Sequence, residues 1–293
     1  MKSNLRTALA LTGRGVRVLP LHGWTGAACT CGDAQCRHPA KHPRLHNGVF
    51  GASTNPRLIS RWFSNPLTNV GVATGKGLLV VDIDLHKDGE VSIRRLEARF
   101  GPFPETVEVV TGSGGRHLWF AVPHHIPLPN TAGLLGSGID TRSDNGYVVC
   151  PPSNHHSGRA YSWSVDSADV TAPAPDWLVA ALEAHARERE ANRLAFTQHP
   201  ITQEDEDDLV EAMARSRFLA EIWMGKRLYP DRSSRHLAAT SALIRAGIGD
   251  ASVIQRMLIL VDQHLGLDVS KAERIDYIGL TVAKALSGRE ARP

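Results

Sequence analysis

The chain has 293 residues, 42% of them hydrophobic and 22% charged, with a formal net charge of +3 at neutral pH. That is an ordinary globular composition, long for one domain and sufficient for two, and it excludes a helical membrane protein, because no apolar run approaches the roughly 20 residues of a span. The small positive charge permits nucleic-acid binding without demanding it. Residues 4–13 read as an amphipathic helix and not a signal peptide, because no long apolar core is present; the expected location is the cytoplasm. "VRVLPL" reads as a strand, and a Cys/His/Pro-rich insertion follows at 22–48. "NPRLISRWF" is a helix capped by Asn55 or Thr54. "NVGVA" and "LLVVDID" read as strands that pair with each other, and "GEVSIRRLEARFG" as a helix with Val91, Ile93, Leu96 and Phe100 as its apolar set. "TVEVVT", "RHLWFAV", "SGIDTRS", "GYVVCPP" and "RAYSWSV" are short β-rich runs broken by Gly, Pro or Asn. The expected fold class is α+β, with a mostly antiparallel sheet over residues 1–180.

The prolines of "TAPAPDWLVAAL" mark a boundary, and a charged helix begins at Asp176 and forms a linker over 181–202. From Asp205 the chain reads as helices only: "DLVEAMARSRFLAEIW", "SSRHLAATSALIRAG", "DASVIQRMLILVDQHLG" and "KAERIDYIGLTVAKAL", a small bundle over 203–288. There is no internal repeat and no G-x-x-x-x-G-K-[ST] phosphate loop.

Three stretches carry chemistry. Strand side chains alternate faces, so Asp82 and Asp84 point the same way. Two like charges on one face repel unless something positive lies between them, and hard divalent cations accept carboxylate oxygens. The competing reading is two solvated aspartates at a strand end. In "CTCGDAQCRHPAKHP", Cys29, Cys31 and Cys36 are followed by His38 and His42. Three thiolates and one imidazole make a closed tetrahedral zinc site, structural and not catalytic. Either histidine can complete it; His42 is preferred, because only Arg37 separates His38 from Cys36. The competing reading is three reduced thiols in a surface loop. Cys150, in a distant strand, takes no part. In "TGSGGRHLWF" a glycine turn offers backbone N–H groups and the Ser113 hydroxyl to phosphate oxygens, with His117 starting the next strand. An ordinary hairpin turn explains the same glycines. In "GSGIDTRSDNGYVVCPPS", Asp140 and Arg142 share a strand face. Three carboxylates and a cationic clamp are what two-metal phosphoryl transfer requires.

The order D-I-D, S-G-G-R-H, I-D resembles the three motifs of the archaeo-eukaryotic primase superfamily. "CTCGDAQCRHPAKHPRLHNGVFGASTNPRLISRWF", "NVGVATG", "GSGGRHLWF" and "GIDTRSDNGYVVCPPSNHHSGRAYSW" resemble the bifunctional primase–polymerase domain of phage and plasmid replication proteins over roughly residues 5–180. "IWMGKRLYPDRSSRHLAATSALIRAG" resembles the primase C-terminal helical domain that often follows. The resemblance implies a catalytic core with an RNA-recognition-motif-like sheet. In it Asp82, Asp84 and Asp140 hold two Mg²⁺ or Mn²⁺ ions, His117 contacts the triphosphate, and Ser113, Arg142 and Lys41 help. The family's s-x-H motif is extended to S-G-G-R-H here, so Ser113 and Arg116 both stand as candidates for its small-residue position. The implied partners are single-stranded DNA template, nucleoside triphosphates and a replicative helicase. In "GKRLYPDRSSRH", Lys226, Arg227, Arg232 and Arg235 near a helix start are expected to hold template phosphates; a solvated basic loop is the plainer account. Two other functions compete. A nuclease or nucleotide-sugar transferase with a D-x-D motif does not need the ordered His117 and Asp140, and degradation of labelled single strands would reveal it. A non-catalytic DNA-binding replication module leaves three aspartates on strand faces without a purpose.

Overall fold

The computed structural model describes residues 3–197, 201–229, 231–267, 269 and 275–290. The start of the last expected helix, 271–274, lies outside the described residues. The chain divides into two units, Met1–Ala184 and His185–Pro293.

In the first unit, helix α1 (Ser3–Gly13) leads to strand β1 (Val18–Leu21), and helix α2 (Pro56–Trp62) to strand β2 (Asn69–Ala73). Asn55 caps α2 by accepting the Arg57 N–H, with Pro56 at the first helical position. Strand β3 (Leu78–Ile83), helix α3 (Gly89–Phe100), β4 (Val107–Val110), β5 (Arg116–Ala121), β6 (Thr131–Ala132), β7 (Ile139–Arg142), β8 (Tyr147–Cys150), β9 (Ser162–Trp163) and β10 (Ala172–Pro173) follow, and helix α4 (Asp176–Thr197) crosses the boundary between the units. Two sheets result. The smaller has the order β1-β2-β8 and is antiparallel; Pro20 sits in its edge strand, where a missing N–H is tolerated. The larger has the order β6-β7-β3-β5-β4-β9, antiparallel throughout, with β10 added parallel to β5.

The strands expected to pair with each other, β2 and β3, do not. They share only the tight turn Gly75–Leu78, where the Gly75 N–H donates to the Leu78 carbonyl at 2.7 Å. Lys76 and its two glycine neighbours all take left-handed φ there. Beyond the turn both edges of β2 are taken by β1 and β8, and both edges of β3 by β5 and β7. The expected apolar set of α3 also shifts. Gly89, Ser92, Ile93 and Leu96 face inward at helical spacing, while Val91 and Phe100 are 46% and 41% exposed. Gly89 is the cause: a Cβ there would crowd the carbonyls of Asp84 and Gly138, so the helix settles on its glycine.

The alternation of β3 feeds two cores. Leu79, Val81 and Ile83 pack with Leu118, Phe120, Ile139 and the α4 residues Leu178 and Leu182. Val80 packs with Val109, Trp119 and the smaller sheet's Val70, Val72 and Val148.

The second unit is helical: α5 (Gln203–Arg215), α6 (Arg217–Trp223), α7 (Arg232–Arg245), α8 (Ala251–His264) and α9 (Ile275–Glu290), around a core that includes Leu219, Leu243, Met257 and Leu258. The single helix expected over 208–223 is two, because Ser216 leaves helical geometry and accepts the Leu219 N–H to cap α6. Asp262 of α8, fully buried, accepts from Arg235 at 2.8 Å and His236 Nε2 at 2.9 Å. No helix among the described residues is long and apolar enough to cross a membrane.

Breaking a buried charged network by removing one partner strands the other charges. Asp262→Ala is expected to destabilise the helical unit by about 3–5 kcal/mol, read as a lowered urea midpoint in far-ultraviolet circular dichroism. A midpoint within experimental error of wild type would contradict the role given to this network.

Candidate active site and metal centre

The site grows from the pairing register of β3. Asp82 stands opposite His117 of β5 on one side and Asp140 of β7 on the other. Directly opposed residues project to the same face, so register alone lines up His117, Asp82 and Asp140 across three strands. His117 Nε2 lies 3.6 Å from Asp82 Oδ1. Arg142, two residues beyond Asp140, donates to its Oδ2 at 3.0 Å.

The electrostatics follow from burial and close charges. Burial raises the Asp140 carboxyl above its ordinary value, Arg142 opposes the rise, and the Asp82 charge adds to it. Burial lowers the His117 imidazole; Asp82 opposes this, and Lys41 and Arg142 add to it. His117 is therefore neutral at pH 7, and its Nδ1 has no hydrogen-bond partner among the described residues.

The other expected residues divide. Lys41 lies close enough to bias His117. Ser113 sits in the β4–β5 turn, its hydroxyl 3.0 Å from that of Thr111. Asp84 lies just past the end of β3 and is held by its own turn: its Oδ1 accepts the His86 N–H at 3.0 Å, and Lys87 Nζ lies 3.4 Å from Oδ2. Arg116 projects to the face opposite His117, 3.7 Å from both Glu90 of α3 and Glu108 of β4. In the helical unit, Arg235 is committed to Asp262 and Arg227 is paired with Glu221 at 2.7 Å while covering the Phe218 ring. Arg232 opens α7, where the Asp231 carboxylate already accepts the Ser234 N–H. Lys226 is exposed.

Two residues that received no role from the sequence, His155 and Tyr161, join the site. His155 packs on Gly112, where a Cβ would collide with its ring, so the phosphate-type turn and this histidine are in contact. Burial, then the charges of Lys41, His156 and Arg159, lower its imidazole to about 4. Its Nε2 has no partner among the described residues. The Tyr161 ring stands 6.1 Å from His117 and 5.9 Å from His155, and its hydroxyl is raised by burial and the Asp82 charge. The only sequence signal was the concentration of His, Arg and Tyr in "NHHSGRAY"; no spacing within it points at Asp82.

The cysteine loop closes separately. One ligand atom each from Cys29, Cys31, Cys36 and His42 lie within 4.8 Å of one another. His42 Nε2 is 3.6 Å from Cys29 Sγ and 3.5 Å from Cys36 Sγ. A tetrahedron with zinc–sulfur and zinc–nitrogen bonds of ordinary length has S···N edges of about 3.6 Å, so the donor set and its spacing fit zinc. Burial and the neighbouring sulfurs raise Cys36 to about 11, although the His38 N–H opposes this. That crowding of thiols is what a divalent cation relieves. His22 stacks on His42 at 4.4 Å and bonds Thr30, fixing the ligand ring from behind. Asn69 of β2 ties the two sites together: its Nδ2 donates to the Ala40 carbonyl at 2.9 Å and the Asn154 carbonyl at 2.8 Å. Ala40 precedes Lys41, and Asn154 precedes His155.

Residues 8–177 match the Prim-Pol family, described as bifunctional DNA primase/polymerase, N-terminal. No curated protein matches the chain.

His42→Ala is expected to lose the metal, and His38→Ala to keep close to one zinc per chain by elemental analysis. Zinc retained by His42→Ala and lost by His38→Ala would reverse the ligand assignment.

Proposed function

Because the chain belongs to the bifunctional DNA primase/polymerase family, we propose that it makes and extends primers on single-stranded DNA from nucleoside triphosphates, in phage or plasmid replication. The observation that carries this reading is the register that lines Asp82 up between Asp140 and His117. Asp82 and Asp140 are hard oxygen donors side by side, and burial, with the Asp82 charge adding to it against Arg142, raises the Asp140 carboxyl. Such a pair suits Mg²⁺ or Mn²⁺, with Asp84 as third carboxylate once it leaves its turn. When bound, these ions would neutralise the triphosphate and acidify the attacking 3′-hydroxyl.

The protein's own part is positioning and charge. Neutral His117 donates an N–H to a phosphate oxygen. Lys41 and Arg142 supply positive potential on the same side, and the Ser113 hydroxyl and turn N–H groups hold further oxygens. His155, also neutral at pH 7, offers its unpartnered Nε2 to the same phosphates. Zinc in the cysteine cluster would fix the loop that carries Lys41. The helical unit, with Lys226 and Arg232 on its basic segment, would hold template during initiation, when no duplex yet orders the reactants.

Asp82→Ala is expected to abolish nucleotide incorporation on single-stranded templates while the fold is kept; activity within a few-fold of wild type would sink the assignment. His155→Ala should lower incorporation by tenfold or more, and normal rates would remove it from the site. Asp140→Asn tests the electrostatics. A carboxyl raised in the folded state binds its proton more tightly there, so stability is present at low pH and lost as pH rises through the unfolded and folded values. Without divalent cation, Asp140→Asn should therefore unfold at a higher temperature than wild type at pH 7, with the gain shrinking on acidification. A chain ending near residue 200 should keep extension of an existing primer and lose most unprimed synthesis. Equal unprimed synthesis would make the helical unit a spacer.

A further inference from the structure

We infer that the first unit carries a second contact for single-stranded DNA, away from Asp82: a base stacks on Trp163 and the adjoining phosphates lie on Arg14, Arg17 and Lys76. This rests on the polymerase reading only in naming the strand as template. A cavity of about 890 Å³ opens between the end of α1, the Gly75–Leu78 turn and the segment 163–171. Trp119 lines it, is only 3% exposed, and its indole N–H has no hydrogen-bond partner among the described residues. Orphaned buried donors are rare and call for an explanation. Trp163, on the edge strand β9, is 43% exposed and held edge-to-face against Trp119, with ring centroids 5.8 Å apart. A ring braced by a buried neighbour and open to solvent is a stacking platform, and stacking accepts any base.

The rim supplies the complementary charge. Arg14, Arg17 and Lys76 line the cavity against one carboxylate, Asp169. Among the described residues none of the three cations makes an ion pair. Lys76 is held at the tip of its turn with φ +49°, a conformation that Gly or Asn adopts more readily. Three unpaired cations drawn from two separate segments suit a run of phosphates, and the exposed Trp163 needs an unpaired base. Both features favour a single strand over a duplex. Leu78 in the cavity wall is about 13 Å along β3 from Asp82. Val80, between them on the same face, is fully buried, so the cavity and the candidate active site are separate openings on one rigid sheet.

The test uses the full chain and a 5′-labelled oligothymidylate, with anisotropy read over a salt series and no added divalent cation. Trp163→Ala is expected to weaken binding about tenfold, and Trp163→Phe to restore most of it. Replacing Arg14, Arg17 and Lys76 together by Gln should make the slope of log affinity against log salt shallower by about 2. Because Arg14 and Lys76 are exposed and Arg17 only half-buried, this variant tests the proposal even if Trp163→Ala fails to fold. Unchanged affinity and slope in both variants overturn the proposal. So does quenching of Trp163 by free thymidine triphosphate with oligonucleotide affinity unaltered, which would mark a mononucleotide pocket. Failure here stays distinguishable from failure of the polymerase reading. Wild-type chain that binds the strand through Trp163 but incorporates no nucleotide overturns only the latter, and incorporation with strand binding indifferent to Trp163 overturns only this proposal.

Discussion

The pairing register of β3 between β5 and β7 is the constraint on which the candidate site depends. A slip of one residue against either neighbour would send Asp82 into the core now filled by Leu79, Val81 and Ile83, and bring an apolar side chain to the site. Register is held because β3 is apolar on both faces as far as Val81: one face meets α3 and α4, the other meets the smaller sheet. Asp82, two residues beyond Val80 on that face, is part-exposed. Three polar side chains thus meet on one face at almost no entropic cost, because rigid strands already aim them.

The cysteine loop and the candidate active site are joined by the side-chain amides of Asn69 and Asn154. Asn69 is fully buried in β2 and bonds both the residue before Lys41 and the residue before His155. Asn154 returns the contact by bonding Trp24 in the cysteine loop through both its side-chain atoms. A Pro- and Gly-rich insertion with little core of its own is in this way referenced to the sheet, and Lys41 comes close enough to bias both His117 and His155.

In the helical unit, charge is spent largely on structure. Asp205 closes a capping box with Thr202 and also accepts from Arg256 at 2.8 Å. Asp262 gathers Arg235 and His236. A basic segment that reads in sequence as a phosphate-binding surface is therefore partly committed inside the bundle.

Local patterns were legible without coordinates. Helix α2 announces itself by Asn55-Pro56, the strands by short β-branched runs bounded by Gly, Pro or Asn, and the Cys₃His cluster by ligands within fourteen residues, because in each case the interacting groups are neighbours in the chain. The D-x-D spacing puts both aspartates on one face of an unbroken strand, but β3 ends at Ile83 and Asp84 is held by the turn that follows. What the sequence could not decide were partners brought in from afar: β2 and β3 parting into different sheets, α3 turning onto Gly89, Ser216 splitting one helix into two, Arg116 facing away from His117, Arg235 drawn to Asp262, and Tyr161 standing between His117 and His155. Each depends on which surfaces remain free after other elements have packed. That competition is settled by tertiary burial, and no short window of residues contains it.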